Sequence, residues 1–223
     1  MKHPTATFRV LADDNGPDVA TLANGVRAVV FRLPHLATAA VSVFVRSGSR
    51  HERARQNGIS HVIEHMAFKG TNSRDCQQVN LDAERLGADV NAHTDKDHTA
   101  LHMRGLARDA GTFVGMLGDI VRRSTFREAE LERARNQIAV RRLGAQEVPA
   151  QLPEHAALDL FALGRVRPRD ELLADIAAVT PLQVRGAFAQ MLDAGAAVGL
   201  AGRIAGGEEE RAAPLLARHA TEA

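Results

Sequence analysis

The first third of the chain contains short alternating runs of apolar and polar residues, the pattern of β-strands. Two such runs, predicted as strands over 18–23 and 26–32, are separated by Asn24-Gly25, a dipeptide that favours a two-residue hairpin turn. The later segment ATAAVSVFVRSG also alternates with a period of two, which predicts a third strand over 38–46. The pattern therefore indicates a sheet that starts with antiparallel neighbours.

Helical spacing begins in the run GISHVIEHMAFKG, where apolar residues recur every three or four positions. This run predicts a helix that ends at Gly70. A second helix is predicted to start with Ser73 as its cap, to reach Leu86 and to stop at Gly87. The segments ADVNAHT and HTALHMRGL follow and are predicted as an antiparallel pair of strands.

The remainder of the chain is predicted to be mainly helical, with one late strand and a closing helix that begins near Glu208. The predicted helices cover about 109–123, 127–147, 154–163, 169–178 and 181–192, with Pro149 and Pro153 between the second and the third, and the late strand covers 196–204. This order predicts a single α+β domain over residues 1–223, with one mixed, mostly antiparallel sheet of about six strands packed against helices.

Charge and composition narrow the classes of function. The chain has 28 Lys and Arg against 27 Asp and Glu, a net charge of +1, without the basic excess of a nucleic-acid binder. No stretch approaches the roughly 18 apolar residues of a membrane span, and the polar start lacks a secretory core. We therefore expect a cytoplasmic protein with neither nucleic acid nor membrane as partner. Because Cys76 is the single cysteine, a metal would depend on histidine and carboxylate ligands.

His61, Glu64 and His65 form an H-x-x-E-H run inside the first predicted helix. At positions i and i+4 the two imidazoles lie on one helix face about one turn apart, which allows both to bind one zinc ion. Glu64 borders the same face, where its carboxylate can accept the proton of a water that attacks a peptide carbonyl. The alternative is that these residues are only the solvated stripe of an amphipathic helix.

The wider sequence NGISHVIEHMAFKGT resembles the signature of the pitrilysin-type metallopeptidases, the inverzincins, which include mitochondrial processing peptidase and insulin-degrading enzyme. Further segments resemble family landmarks in the same order, over roughly residues 18 to 145: ATLANGVRAVV, VRSGSRHERARQNGISH, NAHTDKDHTAL and STFREAELERARNQI. The resemblance implies that His61 and His65 bind Zn²⁺ and that Glu64 is the general base. It also implies a strand that aligns the peptide substrate by strand addition, formed by Asn91, Ala92, His93 and Thr94.

One part of the family pattern is missing. In the family, a later helix carries a Glu that binds zinc and a second Glu that supports catalysis, and this chain has Arg141 and Ala134 at those positions. A catalytic zinc site usually has three protein ligands, and a guanidinium can only donate hydrogen bonds and repels a cation. Pairing of Arg141 with Glu64, or a replacement acid from Glu130 or Glu147, remains open at this point.

Three other features of the sequence are interpreted as structural rather than functional. His98 and His102 alternate along one strand and share a face, which favours a solvated or hydrogen-bonded pair, with a second metal site as the alternative. Cys76 is interpreted as a structural thiol. The arginines between Arg122 and Arg142 are interleaved with Glu, which is typical of a salt-bridged helix surface rather than of a binding patch.

The leading hypothesis is a subunit of a zinc-dependent endopeptidase that hydrolyses peptides or small proteins. Because family members usually join at least two such domains, the resemblance implies a second pitrilysin-type subunit as partner, either identical or different. The alternative is a catalytically inactive, peptide-binding or regulatory subunit of a two-component peptidase. The intact His61, Glu64 and His65 favour the enzyme, whereas Ala134 and Arg141 favour the inactive subunit.

Overall fold

Seven strands form one sheet in the computed structural model, which describes residues 7–10, 16–21, 25–52, 56, 58–145, 151–193, 195–208 and 211–212. The strands are β1 (Thr7–Val10), β2 (Asp18–Thr21), β3 (Arg27–Arg32), β4 (Thr38–Val45), β5 (Asp89–Thr94), β6 (Thr99–Leu106) and β7 (Ala196–Gly202). The α-helices within the described residues are α1 (Ile59–Met66), α2 (Cys76–Arg85), α3 (Ala110–Arg123), α4 (Glu128–Ala145), α5 (Gln151–Leu163), α6 (Arg169–Ala178) and α7 (Pro181–Asp193).

The sheet is mixed and mostly antiparallel, as predicted. Its strand order is β1-β2-β3-β7-β4-β6-β5, and only the β3–β7 pair is parallel among the described pairings. All six predicted strands are present. β1 was not predicted because its four residues carry no clear alternation of their own, and pairing with β2 holds it in the sheet. The turn residue Asn24 lies outside the described residues, but the strands on either side pair antiparallel as expected.

One face of the sheet carries the core. Alternate residues of the central strands, such as Val41, Val43, Leu101 and Leu200, are almost fully buried and join side chains of α3 in one apolar cluster. A second cluster joins the apolar face of α1 to α4, α6 and α7. α1 therefore lies against β5 on one side and against α4 and α7 on the other, which fixes the position of its polar face.

Local contacts fix the start of α1, and its end differs from the prediction. The helix begins after Gly58, whose φ of +99° lies in the left-handed region that favours glycine. The Glu52 carboxylate accepts hydrogen bonds from the main-chain N–H groups of Gly58 (2.6 Å) and Ser60 (2.8 Å), where a negative charge also complements the helix dipole. The helix ends at Met66 rather than at Gly70, which instead forms an isolated β-bridge with the residue before α2.

The starts of two other helices also differ from the prediction. Asp75, not Ser73, caps α2, because its side chain accepts a hydrogen bond from the N–H of Gln78 at 2.7 Å. Ser73 instead donates to the buried Asp119 carboxylate at 3.2 Å. Pro153 lies inside the first turn of α5 rather than before the helix, a position where a proline costs no hydrogen bond. The predicted closing helix lies almost entirely outside the described residues.

A membrane span needs a helix that is both long and apolar. No single one of the described helices is long and apolar enough to cross a membrane. The consecutive helices α6 and α7 reach the required length and composition only when taken together, and they are bent by 89° at the break between them.

Candidate active site

The polar face of α1 places His61, Glu64 and His65 together. The apolar residues on the other face are buried, with Val62 and Ile63 at most 1% exposed, so the helix cannot turn without exposing its core side. The His61 side chain is 33% exposed and that of Glu64 is 18% exposed. The predicted amphipathic division of this helix is therefore present, and its polar face is half-buried rather than fully solvated.

The three side chains converge. One ligand-capable atom from each of them lies within 4.8 Å of the others. The imidazole centroids of His61 and His65 are 4.8 Å apart, and His61 Nδ1 lies 3.6 Å from Glu64 Oε2. We call His61, Glu64 and His65 the helix site.

Gln137 of α4 orients the ring of His65. His65 Nδ1 lies 3.3 Å from Gln137 Oε1, an acceptor, so the tautomer with hydrogen on Nδ1 donates to it and leaves the lone pair on Nε2. That Nε2 atom is buried and has no hydrogen-bond partner among the described residues. A buried, unpaired lone pair costs free energy and is available to a metal ion.

Replacing Gln137 by alanine is expected to weaken Zn²⁺ binding about 10-fold, because partners that orient a ligating imidazole have effects of this size. The affinity can be measured by competition with a chromophoric chelator. Asn136→Ala is the matched control, since the neighbouring amide is exposed on the same helix. Equal affinities for the two variants would contradict the orienting role of Gln137.

Charges within the helix site hold its groups in reactive forms. Burial alone would raise the pKa of the Glu64 carboxyl, but the polar contact and charge of His61 and the Thr94 hydroxyl hold that pKa below its ordinary value. Burial and the charge of His61 lower the pKa of His65, and Arg141 adds to this effect. Near neutral pH, Glu64 is therefore a carboxylate that can accept a proton, and His65 is a neutral imidazole that can bind a metal.

The predicted substrate strand lies beside the helix site. β5 is the last strand of the sheet and pairs only with β6 among the described strands. Thr94, at its end, donates a hydrogen bond to the main-chain oxygen of Ser60 in α1 at 3.3 Å and also contacts Glu64. The edge of β5 that no described strand covers therefore leads directly to the Glu64 carboxylate.

The four predicted substrate-strand residues do not share a face. Ala92 and Thr94 point toward the helices, whereas the exposed Asn91 and His93 point to the opposite face of the sheet. Asn91 Oδ1 accepts a hydrogen bond from the N–H of Ala92 at 2.9 Å. The structure thus brings only Thr94 of this strand into contact with the helix site.

Thr94→Val is expected to lower the free energy of unfolding by about 1 kcal/mol, because it removes the hydroxyl that joins β5 to α1 while keeping the side-chain shape. Urea denaturation measures the difference. Thr38→Val, on an exposed threonine of β4, should change the stability much less. A loss of the same size in both variants would contradict a specific contribution from the β5–α1 contact.

The positions of the two missing acids lie on the face of α4 that meets α1. Ala134 is fully buried in the apolar cluster. Arg141 is exposed and near enough to affect His65, but it forms no ion pair with Glu64, although the structure describes both. Glu130 pairs with Arg133 at 2.8 Å, and Glu147 lies outside the described residues. No acid of the described part of α4 replaces the missing ligand.

The helix site nevertheless fits a zinc ion. Zinc binds imidazole nitrogen and carboxylate oxygen, and the site offers two imidazoles and one carboxylate within 4.8 Å. The unpartnered Nε2 of His65 is the observation that favours an ion most directly. If Glu64 acts as a base, the two imidazoles would hold the ion without a third protein ligand from the described part of α4, and the cationic Arg141 would weaken binding further.

Sequence comparison identifies the family. A model of the family named Insulinase (Peptidase family M16) matches residues 27–165, well over half of the chain. The chain belongs to this family. It is 40% identical over 172 residues to the mitochondrial-processing peptidase subunit beta of Mus musculus, covering 74% of this chain and 34% of that protein. It is also 38% identical over 118 residues to the uncharacterized zinc protease YmxG of Bacillus subtilis, covering 53% and 29%.

Solved structures of other proteins share the fold. A protease from Helicobacter pylori superposes with a TM-score of 0.76 at 20% identity, covering 93% of this chain and 50% of that one. An M16 inactive domain from Pseudomonas fluorescens gives a TM-score of 0.76 at 19% identity, covering 91% and 50%. At these identities the likeness establishes the α+β fold alone. The chain spans about a third of the length of its curated M16 relatives.

Two site residues were missed by sequence reasoning. Glu52, which caps α1, lies in a loop at no characteristic distance from the motif. Gln137 carries no carboxylate or imidazole that would mark it as a ligand, although its place one helical turn before Arg141 is a signal that it faces α1. The arginine-rich helix is confirmed as a salt-bridged surface, for example by the pairs of Arg135 with Glu128 and Glu132.

Proposed function

We propose that this M16 chain is a subunit of a zinc-dependent peptidase, in which the helix site meets a peptide aligned along β5. The observation that supports this proposal most directly concerns His65. Its Nδ1 contacts Gln137, and its buried Nε2 has no partner among the described residues. His65 lies beside the Glu64 carboxylate, whose pKa is lowered. A purely structural histidine would be expected to satisfy both of its ring nitrogens.

Each residue of the helix site has its own role in the proposed reaction. His61 and His65 would hold the zinc ion, which when bound polarises a peptide carbonyl and makes water more acidic. Glu64 accepts the proton of the attacking water, a task for which its ionised state suits it. Thr94 contacts Glu64 and α1 and so keeps the carboxylate next to the end of β5.

The edge of β5 would align the peptide substrate. An extended peptide can add to a free sheet edge through main-chain hydrogen bonds, largely independent of its sequence. Because Thr94 ends this edge beside Glu64, a peptide added to β5 would run past the helix site. Peptides or small unfolded proteins are the substrates that such an edge accepts.

A partner from the same family is part of the proposal. Relatives of this chain are named as one subunit of a processing peptidase. The helix site lacks an acidic ligand from the described part of α4, and its polar face is still about one-third open at His61. A second M16 subunit would close over this face and exclude water from the reacting groups.

The test is hydrolysis of a quenched fluorescent peptide by the full chain, alone and mixed with a candidate M16 partner subunit. We expect cleavage by the mixture, loss of cleavage when a chelator removes zinc, and recovery when Zn²⁺ is added back. A mixture that binds the peptide and forms a stable complex, but cleaves equally well with and without the chelator, would contradict a zinc-dependent role.

A second function is favoured by Ala134 and Arg141, and by the inactive M16 domain among the structural neighbours. In it, the chain binds peptide along β5 and supports an active partner without cleaving. Peptide affinity would then be unchanged by His61→Ala, and cleavage by the complex would depend only on the partner's site. Cleavage that His61→Ala abolishes would exclude this second function.

A further inference from the structure

Three histidines meet on the sheet face opposite α1. His93 faces this side from β5 and His102 faces it from β6, and His98 lies immediately before β6. In the register of the two strands His93 lies opposite Ala100, so its ring projects between His98 and His102, which flank Ala100 by two residues on either side. Sequence alone had paired only His98 with His102, because the register was needed to place His93.

The distance between His93 and His98 matches that of two ligands of one metal ion. Nε2 of His93 lies 3.3 Å from Nε2 of His98, with the ring centroids 5.4 Å apart and the rings perpendicular. Two nitrogens bound at about 2.05 Å to a tetrahedral ion lie about 3.3 Å from each other. The ring centroid of His102 is 5.6 Å from that of His93, so His102 is the neighbouring imidazole that would have to approach the pair to become a third ligand.

The three imidazole rings lie around the small side chain of Ala100. Ala100 has no exposed surface, although it lies on the face of the sheet that α1 and α3 do not cover. Phe44 lies opposite Ala100 on β4, and its ring centroid is 5.7 Å from that of His98. We call this group of Ala100, Phe44, His93, His98 and His102 the histidine cup.

The surroundings of His102 favour its neutral imidazole form. Burial and the charge of His93 lower the pKa of His102. The nearby carboxylate of Asp89 pairs with Arg104 at 3.1 Å, so its charge is balanced. Neutral imidazole is the form that binds a transition metal.

We propose that His93, His98 and His102 bind one divalent transition-metal ion of the zinc, nickel and copper class, at a second site separated from the helix site by the sheet. Three imidazole nitrogens are ligands that these ions prefer, whereas Mg²⁺ and Ca²⁺ prefer oxygen. His93 and His98 already form a pair with ligand spacing, and His102 completes three protein ligands. The ion would tie the edge strand β5 to β6 through their side chains.

The test uses the untagged full chain carrying His61→Ala and His65→Ala, so that the helix site does not contribute. Titration with Zn²⁺ in a calorimeter, and with Co²⁺ followed by its visible absorption, reports stoichiometry and ligand geometry. We expect one ion per chain. His98→Ala and His93→Ala should each weaken binding at least about 10-fold, whereas His35→Ala, an exposed histidine of the β3–β4 turn, should leave it unchanged.

Folding of each variant is checked by circular dichroism, and His98→Gln replaces His98→Ala if the latter does not fold. Absence of binding at millimolar Zn²⁺ would overturn the proposal and leave His93 and His98 as an ordinary imidazole hydrogen bond. Equal loss in His35→Ala, or unchanged binding in both cup variants, would also overturn it. Because the helix site is removed throughout, none of these results depends on the proposed peptidase function.

Discussion

Replacing Glu64 by glutamine is expected to lower kcat for peptide hydrolysis by the paired subunits about 10²- to 10⁴-fold, the usual contribution of a positioned general base. Glutamine has the same shape but cannot accept a proton. Because the pKa of Glu64 is held below its ordinary value by His61 and Thr94 despite burial, the wild-type group is in its basic form near neutral pH, and the substitution removes that base. KM should change little, since the edge of β5 is unaltered.

Three readouts separate loss of the base from other damage. Zinc content should match that of the wild-type complex, because His61 and His65 remain. Thermal unfolding should also be similar, since Glu64 lies on the polar face of α1. Glu84→Gln, a matched change at an exposed carboxylate of α2, should leave kcat unchanged. Full activity of the Glu64→Gln complex would assign catalysis to another group, and equal losses in both variants would indicate a nonspecific effect.

Local sequence signals predicted most of the fold. Alternation and turn residues located six strands, and the 3.6-residue period located α1, because each signal is confined to its own segment. β1 was missed because pairing with β2 stabilises it and its own four residues do not. Helix ends were less accurate, as with Gly70 and Ser73, since the caps depend on which nearby side chain reaches the free main-chain groups.

The helix site could be predicted because its three residues lie within five positions of one helix. The contacts that tune it could not be predicted, since they join segments that are distant in sequence. Gln137 meets His65 only because α4 packs on α1, and Glu52 reaches the start of α1 from a loop. The grouping of His93 with His98 and His102 likewise depends on the register of β5 against β6.

Replacing Arg141 by glutamate is expected to strengthen Zn²⁺ binding at the helix site about 100-fold or more. The substitution removes a cation whose charge acts on His65 and supplies a carboxylate where the M16 resemblance places a ligand. A third protein ligand completes the usual set of a catalytic zinc site, and its effect should exceed the roughly 10- to 100-fold effects of groups that only orient ligands.

A graded series tests both contributions. Arg141→Gln removes the positive charge without adding an acid and should strengthen binding only modestly, while Arg133→Glu makes the same charge change at an exposed position of α4 and should have little effect. Affinities are measured by chelator competition in a His98→Ala background, so that the histidine cup does not contribute. If Arg141→Glu binds zinc no more tightly than Arg141→Gln, position 141 does not reach the ion. If it binds tightly and the paired complex gains zinc-dependent cleavage that Glu64→Gln abolishes, the missing acid is what limits this chain as a catalyst.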